Sequence, residues 1–193
     1  MNFSFIFIGS THGFIDDFLK QREVILETKP EFVLCEELEY LKLDSEDRFN
    51  ELMQKRSISN MTSFEEVENL VKLCFKENIK LVGIDFKNFG FDRDLQKKIK
   101  NEEKLSQIEE EKLSNIISLR EKRHLDKILE YKKKTSRPIV IIIGSWHLRE
   151  NSLLRKKLKS YKLILPCDKN NNPLFESNGK GDIKYVEIVS NDL

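Results

Sequence analysis

Four mainly apolar runs constrain this chain more than any other feature: FSFIFI (3–8), EFVLC (31–35), KLVGI (80–84) and PIVIII (138–143). Strands that stay apolar on both faces belong in a sheet covered on both sides, which is the habit of parallel strands joined by helices. Between these runs lie segments of helical character. The order of elements therefore predicts a single-domain α/β sandwich, 1–193, with a largely parallel, mixed-edge central sheet flanked by helices. A chain of 193 residues is long enough to bury such a core.

The helical segments follow from periodicity and stop signals. Gly13–Glu27 reads as a first helix with Phe14, Phe18, Val24 and Ile25 inward, stopped by Lys29-Pro30, and Asp44–Arg56 reads as a second. Ser63 with Glu66 makes a capping box ahead of a helix to about Glu77. From Asp92 to Lys134 there is neither proline nor glycine, which predicts one long charged helix or two joined near the middle. Leu105, Ile108, Ile116 and Leu119 suit one face of it, and Leu125, Ile128 and Leu129 form a second cluster. Leu148–Lys159 is a short basic helix and Lys162–Leu165 a fifth strand. Residues 168–182 are loop or hairpin by composition, and Ile183–Val189 alternates as a last, edge strand.

Charge and cysteine content narrow the partners. With 34 basic against 33 acidic residues, a formal +1, the chain has no global pull toward nucleic acid or an anionic membrane. The clusters YKKKTSR and RKKLKSYK read as solvated helix ends, so no specific nucleic acid is expected. No apolar run approaches the ~18 residues of a membrane span. FSFIFI lacks a basic leader and runs into Gly-Ser-Thr-His, so it reads as a strand and not as a signal peptide. Cys35, Cys74 and Cys167 form no Cys-x-x-Cys pattern, which points to a reducing cytoplasm without disulfides. The long helix offers a surface for a homodimer.

One phrase occurs twice, IFIGSTH at 6–12 and IIIGSWH at 141–147, in a chain with only 3 histidines. In parallel sheets ligands bind beyond the C-terminal strand ends, and two such strands side by side would bring His12 and His147 to one pocket. Two further strands end there in acids, Glu36-Glu37 and Asp85. Imidazole with carboxylate is a ligand set for zinc, manganese, iron or cobalt; without a metal, histidine can serve as base and a carboxylate can orient it. Ser10 and Ser145 lack a Gly-x-Ser-x-Gly elbow and are expected to cap the following helices. Trp146 reads as a wall or packing residue, Cys35 as core, and His124, inside a charged segment, as solvated.

Taken together, GSTHGFIDDFLKQREVILETKPEFVLCEEL, IIIGSWHLRENSLLRKKL and ISLREKRHLDKIL resemble the motifs of the TraB/PrgY and Tiki family. Its wider superfamily includes the erythromycin esterases and the haem-binding ChaN proteins. The resemblance runs from about residue 3 to 165 and implies an erythromycin esterase/ChaN-like fold. It places His12 and His147 on the motif histidines and Glu36 on the motif glutamate, or Glu37 if the alignment slips by one residue. Asp85 falls on the acid after the third strand, with Phe86 where the family has arginine, a role lost here or moved to Lys87. Arg120, or Arg123 beside it, falls on the helical arginine.

The leading expectation is a metal-dependent hydrolase, a peptidase among the candidates, acting on a small-molecule or peptide substrate. A divalent ion (Mn, Co, Fe or Zn) would be held by His12, Glu36, Asp85 and His147, with catalysis by His12, Glu36 or Glu37, Arg120 and His147. The alternatives are a metal-independent ester or lactone hydrolase with a histidine base, and a non-catalytic regulatory protein binding haem or a peptide.

Overall fold

The structure, a computed structural model, describes residues 3–11, 16–56, 58, 62–175 and 184–190. The apolar runs form β1 (Phe5–Ser10), β2 (Phe32–Cys35), β4 (Lys80–Gly83) and β5 (Ile139–Gly144), joined by β6 (Tyr161–Cys167). β3 (Lys42–Leu43) and β7 (Lys184–Val189) complete a 7-stranded sheet of order β3-β4-β2-β5-β1-β6-β7. The five inner strands are parallel, and the two edges are antiparallel. Every residue of β1, β2 and β5 is buried, as apolar-run strands require.

Pleating sends alternate residues to opposite faces, and a separate core forms on each. Ile6, Ile8, Val33, Val140 and Ile142 face α1 (Asp16–Thr28), α2 (Glu46–Lys55) and α3 (Phe64–Lys76), through Val24, Ile25, Phe49, Leu52, Val67 and Leu70. Phe7, Leu34, Ile141 and Leu163 face α5 (Gln107–Lys132) and α6 (Leu153–Lys157), through Ile128, Tyr131, Leu154 and Leu158. α4 (Arg93–Lys100) precedes α5. Among the described residues no helix is long and apolar enough to cross a membrane, and all three cysteines are buried and unpaired.

Several expectations need correction. The segment 92–134 is two helices, broken where Asn101 ends α4 and Glu102 takes a left-handed φ of 54°. Its capping box is Ser106 with Glu109; Ser63 occupies an N-cap position, but its side chain makes no cap bond and turns to Glu65. Ile108 and Leu119, expected inward, are 78% and 58% exposed, and Leu129 is exposed as well. The inward face of α5 is Arg120, His124, Ile128 and Tyr131. The basic segment 148–159 holds only the short α6, preceded by a 3-10 turn, Ser145–Leu148. The last strand does lie at the sheet edge, while Phe14 and the part of the 168–182 loop beyond Phe175 fall outside the described residues.

Strand order also creates the crevice. β1 and β5 are neighbours, yet the chain leaves β1 for β2 on one side and leaves β5 for β6 on the other. Adjacent strands whose connections diverge leave a gap at their C-terminal ends, where open α/β sheets bind ligands.

Candidate functional site

The two copies of the repeated phrase meet at this crevice and interlock. Ser10 pairs with Gly144 and Gly9 with Ile143 in parallel register. A Cβ on Gly9 would lie 2.7 Å from Ser145 Oγ and 2.9 Å from a Leu165 methyl, so the first glycine makes room for the second serine. Ser145 Oγ donates to the Ser10 carbonyl at 3.0 Å, and Ser10 Oγ donates to Asp17 at 3.0 Å. The serines thus tie the strand ends together, and Ser145, expected to cap the following helix, spends its hydroxyl on the Ser10 carbonyl instead. His12 lies outside the described residues.

On the α5 face the acids and bases converge. Glu36, directly after β2, accepts the Gly144 N–H through Oε2 at 2.6 Å, which links the end of β2 to the second phrase. Its Oε1 accepts from Arg120 Nη2. Asp85, directly after β4, accepts from Arg120 Nε at 2.8 Å through Oδ2 and from the Phe86 N–H at 2.7 Å through Oδ1. The turn after Glu36 is seated on β4: Asp85 N–H donates to the Glu39 carbonyl at 2.7 Å, and a Cβ on Gly83 would collide with that carbonyl. Arg120 therefore bridges two carboxylates delivered by two strands. Its Nη1 makes no hydrogen bond among the described residues.

His147 stands beside this bridge, 5% exposed. Its Nε2 is 3.5 Å from Glu36 Oε1, and its Nδ1 is 3.5 Å from Glu121 Oε1. Glu121 is itself held by Arg149 at 2.7 Å and the Leu153 N–H at 3.3 Å. Arg149 stacks on Trp146, 3.5 Å from ring centroid to guanidinium carbon, so Trp146 is a packing surface as expected.

The structure brings Glu36, Asp85, Arg120 and His147 together; His12 is outside the described residues, and Glu37, Arg123 and Lys87 take other places. Glu37 accepts from Cys35 Sγ at 3.7 Å and belongs to the α1 side. Arg123 donates to the Asp85 backbone carbonyl at 2.8 Å instead of to a carboxylate. Lys87 is exposed. His124, expected to be solvated, is 0% exposed; its Nε2 is 3.0 Å from Asp85 Oδ2 and its ring is edge-on to His147. The signal for it was its spacing: Arg120, His124 and Ile128 recur every four residues on one helix face. Glu121 was missed because it sits in a charged run indistinguishable from a solvated face.

Charge compensation sets the protonation states. Burial raises the Glu36 carboxyl, but His147 and Arg120 outweigh it and hold it well below the usual carboxylate range. Asp85 is likewise lowered, with burial outweighed by His124 and Arg120. Glu121 is held at about 2, burial being overcome by His147 and Arg149. Burial lowers the two imidazoles; in His147 Glu36 and Glu121 reverse this and raise it, whereas His124 stays lowered.

Glu36, Asp85 and His124 offer donor atoms within 4.8 Å of one another, so the group could hold a metal ion. This set differs from the expected one in using His124. The donor types suit a divalent ion, and His124 Nδ1 is buried without a hydrogen-bond partner among the described residues. Against this, all four carboxylate oxygens already accept hydrogen bonds, two of the four from the Arg120 guanidinium. An ion would have to displace that cation. No family model, curated protein or solved structure matches the chain.

Proposed function

We propose that this protein is a hydrolase of the erythromycin esterase/ChaN-like kind that cleaves an ester, lactone or amide at the crevice above β1 and β5 without needing a metal. The observation that carries the reading is Arg120: Nε and Nη2 are locked onto Asp85 and Glu36, Nη1 makes no hydrogen bond among the described residues, and His147 Nε2 lies 3.5 Å from the Glu36 oxygen that Arg120 holds. A fixed guanidinium with one spare donor is suited to a carbonyl oxygen that gains negative charge. His147, whose imidazole lies between two carboxylates that orient it and favour its protonated form against burial, is suited to general base catalysis. Its 3.5 Å contacts leave it loose enough to turn to a water, and such bonds commonly tighten on substrate binding. In the step proposed, His147 takes a proton from water as the oxygen bonds to the carbonyl carbon. The carbonyl electron pair moves to the oxygen facing Arg120. Collapse of the adduct expels the alkoxide or amine, which takes the proton back from His147.

Turnover of p-nitrophenyl acetate, butyrate and octanoate, a γ-lactone and a fluorogenic peptide, each with and without chelator, tests this. His147→Asn is expected to lower kcat by about 10²–10⁴ and Arg120→Lys by about 10²–10³, with the fold intact and chelator without effect. A wild type inert toward the whole panel would sink the proposal.

A second reading is favoured by the Glu36–Asp85–His124 spacing: a metal-dependent hydrolase, a peptidase among the candidates, in which a bound ion would lower the pKa of water. These three residues would hold it. The readings divide over Arg120, since a competing cation removed should improve metal uptake. Elemental mass spectrometry after exposure to Mn, Co, Fe or Zn would show stoichiometric ion in wild type under the metal reading. Under the metal-free reading it would show ion, if anywhere, only in Arg120→Met.

A further inference from the structure

The segment that follows Asp85, Phe86-Lys87-Asn88-Phe89-Gly90-Phe91, is held in an unfavourable backbone. Asn88 and Phe89 both have left-handed φ, 50° and 54°, and Gly90 follows at 78°. Asparagine and glycine tolerate this region, but a bulky aromatic residue does so only when its surroundings compel it. Here the compulsion is visible. Phe89 N–H donates to the Phe86 carbonyl and Phe91 N–H to the Asn88 carbonyl, both at 3.0 Å. Gln96 Nε2 holds the Phe91 carbonyl at 2.8 Å. The result is that the Phe89 and Phe91 rings lie 4.9 and 5.9 Å from the Arg120 guanidinium carbon, within cation–π range. The Phe86 ring is occupied separately by Arg123 at 4.6 Å. Phe89 and Phe91 are only partly buried, so part of each ring remains open near the Arg120 guanidinium, whose Nη1 makes no hydrogen bond among the described residues.

A single anion-directed donor flanked by two partly open aromatic rings is a receptor for a group that is charged at one end and apolar at the other. We propose that Phe89 and Phe91 form the wall of an acyl-binding site, which takes a medium-chain or aromatic acyl group whose carboxyl or carbonyl oxygen meets Arg120 Nη1. This deepens the hydrolase reading by naming its substrate class, and it rests on that reading for the reaction. A short acetyl group would reach the arginine but not the rings.

Binding separates the two claims, because a fatty carboxylate can occupy the site without turnover. Acetate and octanoate are titrated calorimetrically into the full chain, wild type, Phe89→Ala, Phe89→Leu and Phe91→Leu, with circular dichroism confirming each fold. Burial of a methylene is worth about 0.8 kcal/mol, close to fourfold in affinity. Wild type is therefore expected to prefer octanoate over acetate by about tenfold or more even with partial burial. Phe89→Ala should lose most of that preference while keeping acetate affinity, and the leucine variants should keep much of it. Equal affinity for the two carboxylates, or a preference untouched by Phe89→Ala, would overturn the acyl site whether or not the protein hydrolyses esters. Octanoate binding as expected, with no ester turned over, would leave the acyl site standing and reject the hydrolase.

Discussion

The two faces of the sheet rim treat their carboxylates in opposite ways. On the α5 face, Glu36, Asp85 and Glu121 meet Arg120, Arg149, His124 and His147, and all three acids are held below their ordinary range. On the α1 face, Asp17 is equally buried but is met by hydroxyls and an amide: Ser10 Oγ, the Thr11 N–H at 3.2 Å and the Tyr185 hydroxyl. Burial there prevails over those hydrogen bonds, and the nearby Glu37 charge adds to it, so the Asp17 carboxyl is raised. The consecutive residues Glu36 and Glu37 end on different sides, Glu36 with Arg120 and the Gly144 amide and Glu37 with the Cys35 thiol. One face is thus a bank of fixed charges, and the other a set of hydrogen bonds that fastens α1 to the end of β1. Groups whose environments push their pKa values apart are the usual raw material of acid–base chemistry.

The sharpest way to break this contrast is to remove its main cation. Arg120→Met leaves Glu36 and Asp85 buried without their shared partner, and loss of one side of a buried ion pair costs about 3–5 kcal/mol. Urea unfolding at neutral pH should show a loss of that size. A loss under 1 kcal/mol would mean that His147, His124 and the backbone amides suffice to hold both acids, and the α5 face would then resemble the α1 face.

The second test addresses the joint between the faces. Gly9→Ala places a methyl group against Ser145 Oγ and Leu165, and overpacking of this kind costs about 1–3 kcal/mol. The Ser145→Gly variant by itself loses the bond to the Ser10 carbonyl. If the phrases interlock as described, the double variant should be less destabilised than the sum of the singles, by thermal melts. Simple additivity would mean that Leu165 alone sets the limit at Gly9.

How much of this was legible depended on which physical signal each residue carried. The buried strands announced themselves because a parallel strand is apolar throughout, and with them came the rim, since Glu36, Asp85 and His147 follow the runs directly. β3 was invisible: Lys42-Leu43 is too short to show any period, and its pairing with β4 is decided by tertiary contact. The break before α5 has no proline or glycine, although its signature, Ser106 with Glu109, was in the sequence and was overlooked in favour of Ser63 with Glu66. His124 and Glu121 were hidden by composition. A helix face buried through ion pairs has the residue types of a solvated one, so only the four-residue spacing from Arg120 distinguished it. The reverse error fell on Ile108 and Leu119, whose apolar character suggested burial in the part of α5 where it is exposed. The bond from Gly144 to Glu36 and the room that Gly9 makes for Ser145 depend on strand order, which no local pattern encodes.

The smallest expected effect is also the most direct comparison of the two faces, because it turns on sign. Asp17 has a raised folded-state pKa, so the stability it contributes is complete below its unfolded pKa of about 3.9 and is lost as pH rises through the folded value. Glu36 has a lowered one; its contribution is present above about 4.3 and disappears as pH falls through the folded value. Asp17→Asn should therefore gain on wild type as pH climbs from 3 to 7. Glu36→Gln should lose ground over the same interval. Urea midpoints measured across that range give both slopes in one experiment. Parallel curves for Asp17→Asn and wild type would mean that the hydroxyls and amide around Asp17 stabilise its anion as well as water does in the unfolded chain. A buried carboxylate at this rim would then need no cation at all.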